Sequence, residues 1–313
     1  MAACNRYPSI ASHFGRAYNE PRDLYILTQP GKTSDTSAHP RPQKLKVSNM
    51  SPIIKYPQVV LLGDSLLQQS AEIRNGFSFQ GALQNHVIRR LDVVNRGFSG
   101  WNTANVLKYL PELFSPPSET TPKVDYLIVL LGANDAVRPL PAFAQHVPQE
   151  EYRANLTAII THPIIAAHNP KILLVTPPPV DEIHLESWDL VKGWPEITRY
   201  AKLSAEYSQI AREVAAATPG VVSIDLWQAV HDEAAKRTPG WTATDGKLLG
   251  TFESGQRGAL EQLLPDGLHM NGEAYEVFFK AVVPHIGSEW ANLPADDRSG
   301  YLLPDWKTFG SKP

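Results

Sequence analysis

Two short motifs, far apart in the chain, contain the residue types that acyl transfer by a serine requires. The first is GDSL at residues 63–66, directly after the apolar run at residues 59–63. A serine on a turn between a strand and a helix exposes its hydroxyl, and the helix start offers free N–H groups at the positive end of a dipole. Ser65 is therefore a candidate nucleophile. Taken alone, the motif has a second interpretation, in which Asp64 and Ser65 simply cap a helix.

The second motif, DGLHMN at residues 266–271, can supply the base that a serine needs to lose its proton at neutral pH. Histidine suits this role because imidazole titrates near neutrality. Asp266 precedes His269 by three residues, so a turn can bring its carboxylate against the imidazole and stabilise the imidazolium. Asn271 is predicted to cap the last helix. The alternative is a capped helix start with an incidental histidine, since the chain has 10 histidines.

Two further motifs can donate hydrogen bonds to the oxyanion that an ester carbonyl becomes in the tetrahedral intermediate. GFSG at residues 97–100 and GAND at residues 132–135 each follow an apolar run. Preorganised donors at such a site are worth about 3 kcal/mol each. Gly100 can offer its N–H with no side chain in the way, Asn134 its amide N–H, and Ser65 its own N–H. In isolation, Gly100 has the alternative role of a turn residue and Asn134 that of a turn residue or helix cap.

The elements that must hold these motifs alternate between strands and helices. The predicted strands cover residues 59–63, 92–97, 125–132, 171–179 and 221–227. The predicted helices cover residues 77–91, a segment capped by Asn102 and Thr103, and residues 150–167, 196–217, 227–236 and 272–286. This alternation indicates an α/β fold: a three-layer α/β/α sandwich with a mainly parallel five-stranded sheet. Ligands of such sheets bind beyond the carboxyl ends of the strands, where GDSL, GFSG and GAND fall.

The composition narrows the function classes. The chain has 313 residues and a net charge of -3, which argues against a nucleic-acid binder. Its single cysteine, Cys4, cannot form an internal disulfide or a multi-cysteine zinc site. Because the sequence contains neither a bilayer-spanning apolar run nor a signal-peptide core after Met1, a cytoplasmic location without a membrane span is expected. The oligomeric state is not indicated.

The two ends of the chain differ from its centre. Residues 1–54 contain scattered charges and prolines without a persistent period, so a disordered or loosely attached arm is expected. A transit peptide and a natural start at Met50 are the alternatives. Residues 55–288 are expected to form the folded domain, and residues 289–313 a tail that either wraps back on the domain or mediates contacts.

The four motifs together resemble the SGNH hydrolase superfamily, also called GDSL esterases and lipases. The matching blocks are GDSL at 63–66, RGFSGWNT at 96–103, GAND at 132–135 and DGLHMN at 266–271. More closely, the chain resembles the isoamyl acetate-hydrolysing esterase branch, which VTPPPVDE at 175–182 and the segment from Tyr200 to Val214 also resemble. The resemblance covers about residues 55–288.

This resemblance implies a flavodoxin-like fold and a serine esterase acting on a small-molecule ester, with short-chain esters such as acetates expected. It implies that Ser65, Gly100, Asn134 and His269 are the four namesake residues and that Asp266 completes a Ser-His-Asp triad. It also implies that neither a metal nor an organic cofactor takes part. An acyltransferase or a carbohydrate deacetylase with the same triad, and a catalytically silent binding protein, stay open as alternatives.

Other motifs that would indicate different chemistry are missing from the sequence. It contains no Gly-x-Ser-x-Gly elbow, dinucleotide-binding glycine motif, P-loop or His-Glu-x-x-His. The segments 181–195 and 237–262 are expected to shape the acyl and alcohol pockets, with Trp188 and Trp194 either lining a pocket or packing a loop. The remaining histidines are expected to be structural or exposed: His162, His184 and His231.

Overall fold

The computed structural model describes residues 54–141, 144–242, 247–290, 293–294 and 296–309. All but the last residue of the predicted N-terminal arm lies outside the described residues, as do Cys4 and Met50. In the described part of the chain, no helix combines the length and the apolar composition needed to cross a membrane.

The centre of the domain is one parallel sheet. Its strands are β1 (Gln58–Gly63), β2 (Asp92–Gly97), β3 (Val124–Leu130), β4 (Lys171–Val175) and β5 (Val222–Ile224). They lie in the order β2-β1-β3-β4-β5, and every pairing is parallel. The chain thus begins in the interior of the sheet, runs to one edge and then crosses to the other. The order reverses around β1, and ligands of open α/β sheets bind at such a switch point.

Ten helices surround the sheet in the described residues. They are α1 (Ser65–Gln68), α2 (Phe79–His86), α3 (Thr103–Leu113), α4 (Gln149–Ile160), α5 (Pro163–Ala166), α6 (Glu182–Val191), α7 (Ala201–Ala217), α8 (Leu226–Arg237), α9 (Leu260–Leu263) and α10 (Gly272–Val282).

Each face of the sheet has its own hydrophobic core, because side chains alternate along a strand. Val59 and Leu61 pack in one core with residues of α2, α8 and α10. Val60 and Leu62 pack in the other with residues of α3, α4 and α7. The predicted three-layer α/β/α sandwich with a five-stranded sheet is therefore confirmed, and the sheet is parallel throughout.

Several elements end earlier than the sequence predicts, and proline accounts for three of them. The predicted helix at 150–167 is two helices, because Pro163 cannot continue α4 and begins α5 instead. The predicted strand at 171–179 ends at Val175, before the three prolines at 177–179. The predicted helix at 272–286 becomes a 3₁₀ turn after Val282, at Pro284.

The long helix predicted at 196–217 begins only at Ala201. Carboxylates of α6 hold the preceding segment outside the helix. Thr198 donates its backbone N–H to Asp189 Oδ2 at 2.7 Å, and Ala201 donates its own to Glu182 Oε2 at 2.8 Å. Because these acceptors lie on another helix, the periodicity within the segment predicts a helix that is too long at its start.

The described part of the C-terminal tail wraps back on the domain. Arg89 donates to the carbonyl oxygens of Leu303 and Pro304 at 3.0 and 2.9 Å, and Arg90 donates to that of Ser299 at 3.0 Å. Both guanidinium groups lie over the ring of Tyr301, at 4.5 and 4.7 Å from its centroid. The tail therefore packs against the turn between α2 and β2, at the amino ends of the strands.

Candidate active site

Ser65 is the first residue of α1, immediately beyond β1. Asp64 caps the helix, since its Oδ1 accepts the N–H of Leu66 at 2.9 Å. The capping interpretation of this motif therefore holds, and Ser65 itself is largely buried, in contrast to the exposed hydroxyl that the sequence predicts. The helix can sit against the end of β2 because residue 97 is glycine: a Cβ there would clash with the backbone nitrogen of Gln68.

The structure brings Ser65, His269 and Asp266 into one hydrogen-bonded line. Ser65 Oγ lies 2.9 Å from His269 Nε2, and His269 Nδ1 lies 2.7 Å from Asp266 Oδ2. In this arrangement Nδ1 donates to the carboxylate, which leaves Nε2 free to accept the serine proton. The geometry is that of a serine activated by an oriented base.

The electrostatics of Asp266 support this arrangement. Burial alone would raise its pKa, but hydrogen bonds from the His269 imidazole and from two backbone N–H groups hold the pKa well below the usual range. The backbone donors belong to Leu268 and His269, at 3.1 and 2.7 Å from Oδ1. Asp266 is thus an anion at neutral pH that both shapes the loop and orients the histidine.

Three hydrogen bonds hold the loop that carries Asp266 and His269. Asp181, which caps α6, donates its N–H to the carbonyl oxygen of Gly267 at 2.9 Å. Arg74 donates to the carbonyl oxygen of Met270 at 3.2 Å. Asn271 caps α10 as predicted, accepting the N–H of Ala274 at 2.8 Å.

The loop after β2 is tied to the loop that carries Ser65. Phe98 donates its N–H to the carbonyl oxygen of Gly63 at 2.9 Å, and Ser99 donates to Gln68 Oε1 at 2.8 Å. Gly100 follows with a φ of 81°, in the left-handed region that favours glycine. The segment from 97 to 100 therefore runs directly beside α1.

Asn134 follows β3, and its side-chain amide makes two hydrogen bonds. Its Nδ2 donates to the carbonyl oxygen of Trp101 at 2.8 Å, and its Oδ1 accepts from Arg199 at 3.0 Å. The second Nδ2 hydrogen has no acceptor among the described residues, and the same holds for the N–H groups of Ser65 and Gly100. These three donors thus have no acceptor in the described structure, and free donors are what an oxyanion requires.

Two buried carboxyl groups adjoin the residues of this site in sequence. Burial raises the pKa of Asp64 to about 7, and the charge of Asp135 adds to the effect. Burial also raises the pKa of Asp135 to about 6, despite hydrogen bonds from the N–H and the hydroxyl of Thr103. The Oδ2 atoms of both groups have no hydrogen-bond partner in the described structure. Sequence reasoning assigned Asp64 only a capping role and overlooked Asp135.

The other predicted residues have structural surroundings. Nδ1 of His162 accepts the first N–H of α5, His184 stacks with Trp188, and His231 is buried against Trp227. Trp188 is 38% exposed on α6. Across the described ranges, no group of three or more His, Cys, Asp or Glu side chains is arranged to hold a metal ion.

The fold agrees with comparisons to known proteins. A family model described as GDSL-like Lipase/Acylhydrolase matches residues 61–277. The chain belongs to this family. It is similar to the isoamyl acetate-hydrolyzing esterase 1 homolog of Bos taurus, with 29% identity over 267 residues, or 83% of this chain and 91% of that protein.

The isoamyl acetate-hydrolyzing esterase of Saccharomyces cerevisiae is 24% identical over 258 residues, which cover 80% of this chain and 94% of that one. The crystal structure of the acetyl xylan esterase AlAXEase shares the fold, with a TM-score of 0.50 at 16% identity over 73% of this chain and 99% of that one. This GDSL family member is accordingly a carboxylic ester hydrolase.

Proposed function

We propose that the chain hydrolyses short-chain carboxylic esters, acetates in particular, through an acyl-enzyme formed on Ser65. The observation that carries this proposal is the continuous line of hydrogen bonds from Ser65 Oγ through His269 to Asp266, at 2.9 and 2.7 Å. A nucleophile, its base and the group that orients the base are the recurring parts of serine acyl transfer.

In the first half of the reaction, Ser65 Oγ attacks the carbonyl carbon of the ester while His269 Nε2 takes the hydroxyl proton. The carbonyl electron pair moves onto oxygen, and the resulting oxyanion accepts hydrogen bonds from the N–H groups of Ser65 and Gly100 and from the Asn134 amide. Asp266 stabilises the imidazolium. His269 then gives its proton to the departing alcohol oxygen as the C–O bond breaks, which leaves the acyl group on Ser65.

In the second half, water replaces the alcohol. His269 takes a proton from the water as its oxygen attacks the acyl carbon, and the same three donors hold the second oxyanion. When this intermediate collapses, the bond to Ser65 Oγ breaks and His269 returns the proton to the serine. The products are one carboxylic acid and the regenerated enzyme.

The names of two relatives support small esters as substrates, because both refer to isoamyl acetate, an ester of a two-carbon acid. In the triad, the side chains of His269 and Asp266 are 21% and 28% exposed, whereas Ser65 is 6% exposed. Hydrolysis rates should accordingly fall along a series of p-nitrophenyl esters from acetate to palmitate, and a maximum at long chains would contradict this substrate class.

Covalent labelling tests the proposed nucleophile. The purified protein would be treated with a fluorophosphonate, the adduct mapped by mass spectrometry, and p-nitrophenyl acetate hydrolysis measured for wild type and Ser65→Ala. Ser99→Ala is the matched control, because Ser99 is an exposed serine on the neighbouring loop. We expect label on Ser65, no turnover by Ser65→Ala and normal turnover by Ser99→Ala. An active wild type labelled elsewhere would refute the assignment. Product analysis with added alcohols would distinguish hydrolysis from acyl transfer.

A further inference from the structure

Arg199 is an almost fully buried arginine, 8% exposed, and it contacts the GAND segment at residues 132–135. Its Nε donates to the carbonyl oxygen of Ala133 at 2.8 Å, and its Nη2 donates to Asn134 Oδ1 at 3.0 Å. The third contact is from Nη1 to the hydroxyl of Thr198, at 3.3 Å. One planar side chain thus binds two consecutive residues of the loop that follows β3.

This cation lacks a direct counter-ion, since none of the described carboxylates lies within ion-pair distance of it. Burial lowers the pKa of Arg199, whereas the more distant charges of Asp189, Asp64 and Asp266 raise it, and a guanidinium stays protonated in proteins. Burying a charge without a counter-ion disfavours folding. A buried arginine of this kind therefore points to a role beyond packing.

The chemistry of the two groups fixes how the Asn134 amide is oriented. A guanidinium has only donors, so the amide must present its oxygen to Arg199. Its NH₂ group then faces the carbonyl oxygen of Trp101 and keeps one hydrogen free. A flipped amide would set donor against donor at Arg199 and oxygen against oxygen at Trp101. A positive charge at the amide oxygen also polarises the N–H bonds and makes them better donors.

The segment that carries Arg199 is itself anchored. Asp189 Oδ2 accepts both the N–H and the hydroxyl of Thr198, at 2.7 and 2.8 Å. Glu182 Oε2 accepts the N–H of Ala201 at 2.8 Å. Both carboxylates belong to α6 and are buried. The position of the guanidinium is therefore determined on both sides of residue 199.

We propose that Arg199 is a positioning residue for ester hydrolysis, which holds the Asn134 amide in the one orientation that donates to the oxyanion. The inference rests on the proposed function and deepens it, because Arg199 acts on the reaction only through Asn134. Removing Arg199 should therefore matter only while Asn134 is present.

A double-mutant cycle measures this dependence. Steady-state kinetics with p-nitrophenyl acetate would compare wild type, Arg199→Lys, Arg199→Met, Asn134→Ala and the two double variants. We expect Arg199→Met to lower kcat about 10- to 100-fold with little change in KM, as for partial loss of one oxyanion donor. The kcat of Arg199→Lys should lie between those of Arg199→Met and wild type, because lysine keeps the positive charge but lacks the planar set of N–H donors of a guanidinium. In the Asn134→Ala background either change should alter kcat less than about 2-fold.

Binding of a boronic acid gives a readout besides turnover, because its tetrahedral adduct on a serine places an oxygen where the oxyanion forms. Its Ki should rise in Arg199→Met by about the factor by which kcat falls. Arg138→Met is the matched control. Arg138 donates to the carbonyl oxygen of Ile197 at 2.9 Å and lies over the ring of Tyr200, so it holds the same segment without a hydrogen bond to Asn134. We expect its kcat to stay within about 2-fold of wild type.

Each outcome decides the inference. Equal losses from Arg199→Lys in the presence and absence of Asn134, or an equal loss from Arg138→Met, would show a general structural role and overturn it. If Arg199→Met does not fold, the Arg199→Lys cycle alone decides. A wild type that neither hydrolyses esters nor labels at Ser65 would overturn the proposed function together with this inference. If the wild type is active but the effects of the Arg199 and Asn134 substitutions on kcat are additive, only the inference about Arg199 is overturned.

Discussion

The N–H of Asp181 donates to the carbonyl oxygen of Gly267 at 2.9 Å, so that the start of α6 lies against the loop that carries Asp266 and His269. Gly267 has a φ of 82°, and a Cβ there would lie 2.9 Å from both the Asp181 oxygen and Leu185 Cγ. The loop and the helix therefore approach as closely as a glycine permits.

Gly267→Ala should consequently displace this loop. We expect a loss of about 2–4 kcal/mol in the free energy of unfolding, together with a drop in kcat/KM, because backbone strain and a clash act together. Gly220→Ala is the matched control, since Gly220 has a φ of 81° but open space around it. Urea denaturation and p-nitrophenyl acetate hydrolysis would be measured for both. Equal effects of the two substitutions would contradict the close contact.

The amide of Asn134 is predicted to act as a donor. Asn134→Ala should lower kcat about 100-fold or more while the protein stays folded. Asn134→Asp separates donation from packing, because a carboxylate can still accept from Arg199 but has no N–H to offer. Both variants should therefore be impaired, as judged by steady-state kinetics beside circular dichroism. Full activity in Asn134→Asp would remove the amide from the oxyanion site.

The carboxylate of Asp266 is predicted to fix the tautomer of His269. Asp266→Asn would donate to Nδ1 rather than accept from it, and we expect kcat to fall about 10³- to 10⁴-fold with the fold retained. Glu261→Gln, at an exposed carboxylate of α9, serves as the control. Comparable rates for Asp266→Asn and wild type would exclude this role.

The base role of His269 predicts how turnover depends on pH. Protonated imidazole cannot accept the proton of Ser65, so kcat/KM should decrease as the pH falls into the acid range. The profile would be recorded between pH 5 and 8 with a substrate whose leaving group does not titrate there. A rate that is independent of pH across this range would count against His269 as the base.

The buried carboxyl of Asp64 predicts a pH dependence of stability. Burial raises its pKa to about 7, so between about pH 4 and 7 the folded state holds a proton that the unfolded state has released. Its contribution to stability is therefore complete at low pH and is lost as the pH rises through 7. Asp64→Asn removes this titration and keeps an oxygen for the N–H of Leu66.

The free energy of unfolding of Asp64→Asn minus that of wild type should be larger at pH 8 than at pH 5, by an amount on the order of 2–4 kcal/mol. Denaturant unfolding at the two pH values measures the difference, with Asp92→Asn as a control at an exposed aspartate. A stability difference that does not change with pH would show that Asp64 does not titrate in this range.

Local patterns predicted the fold well because the residues within each strand and most helices show the pattern that is typical of that element. The apolar run around residues 59–63 and the cap at Asn102 both form as expected. The segment at 196–200 does not, because its conformation depends on carboxylates of α6. Periodicity within one window cannot detect a competing acceptor elsewhere in the chain.

The residues of the candidate site also divide into those that local motifs predicted and one that depends on distant contacts. Ser65, Gly100, Asn134, Asp266 and His269 lie in short motifs at the ends of elements, and the structure brings the serine, histidine and aspartate within hydrogen-bond distance. Arg199 was not anticipated, because it binds Ala133 and Asn134 from 66 and 65 positions away. An isolated arginine before a helix has no local signal for such a contact.

Ser65 and His269 are separated by 204 positions in the chain, yet their side chains share one hydrogen bond. A growing polypeptide therefore cannot be active until the chain through residue 269 has left the ribosome and folded. Loss of the segment after residue 260 by proteolysis would abolish turnover even if the sheet survived. Ester hydrolysis thus doubles as an assay of complete folding: in a denaturant titration, activity should disappear together with the global transition.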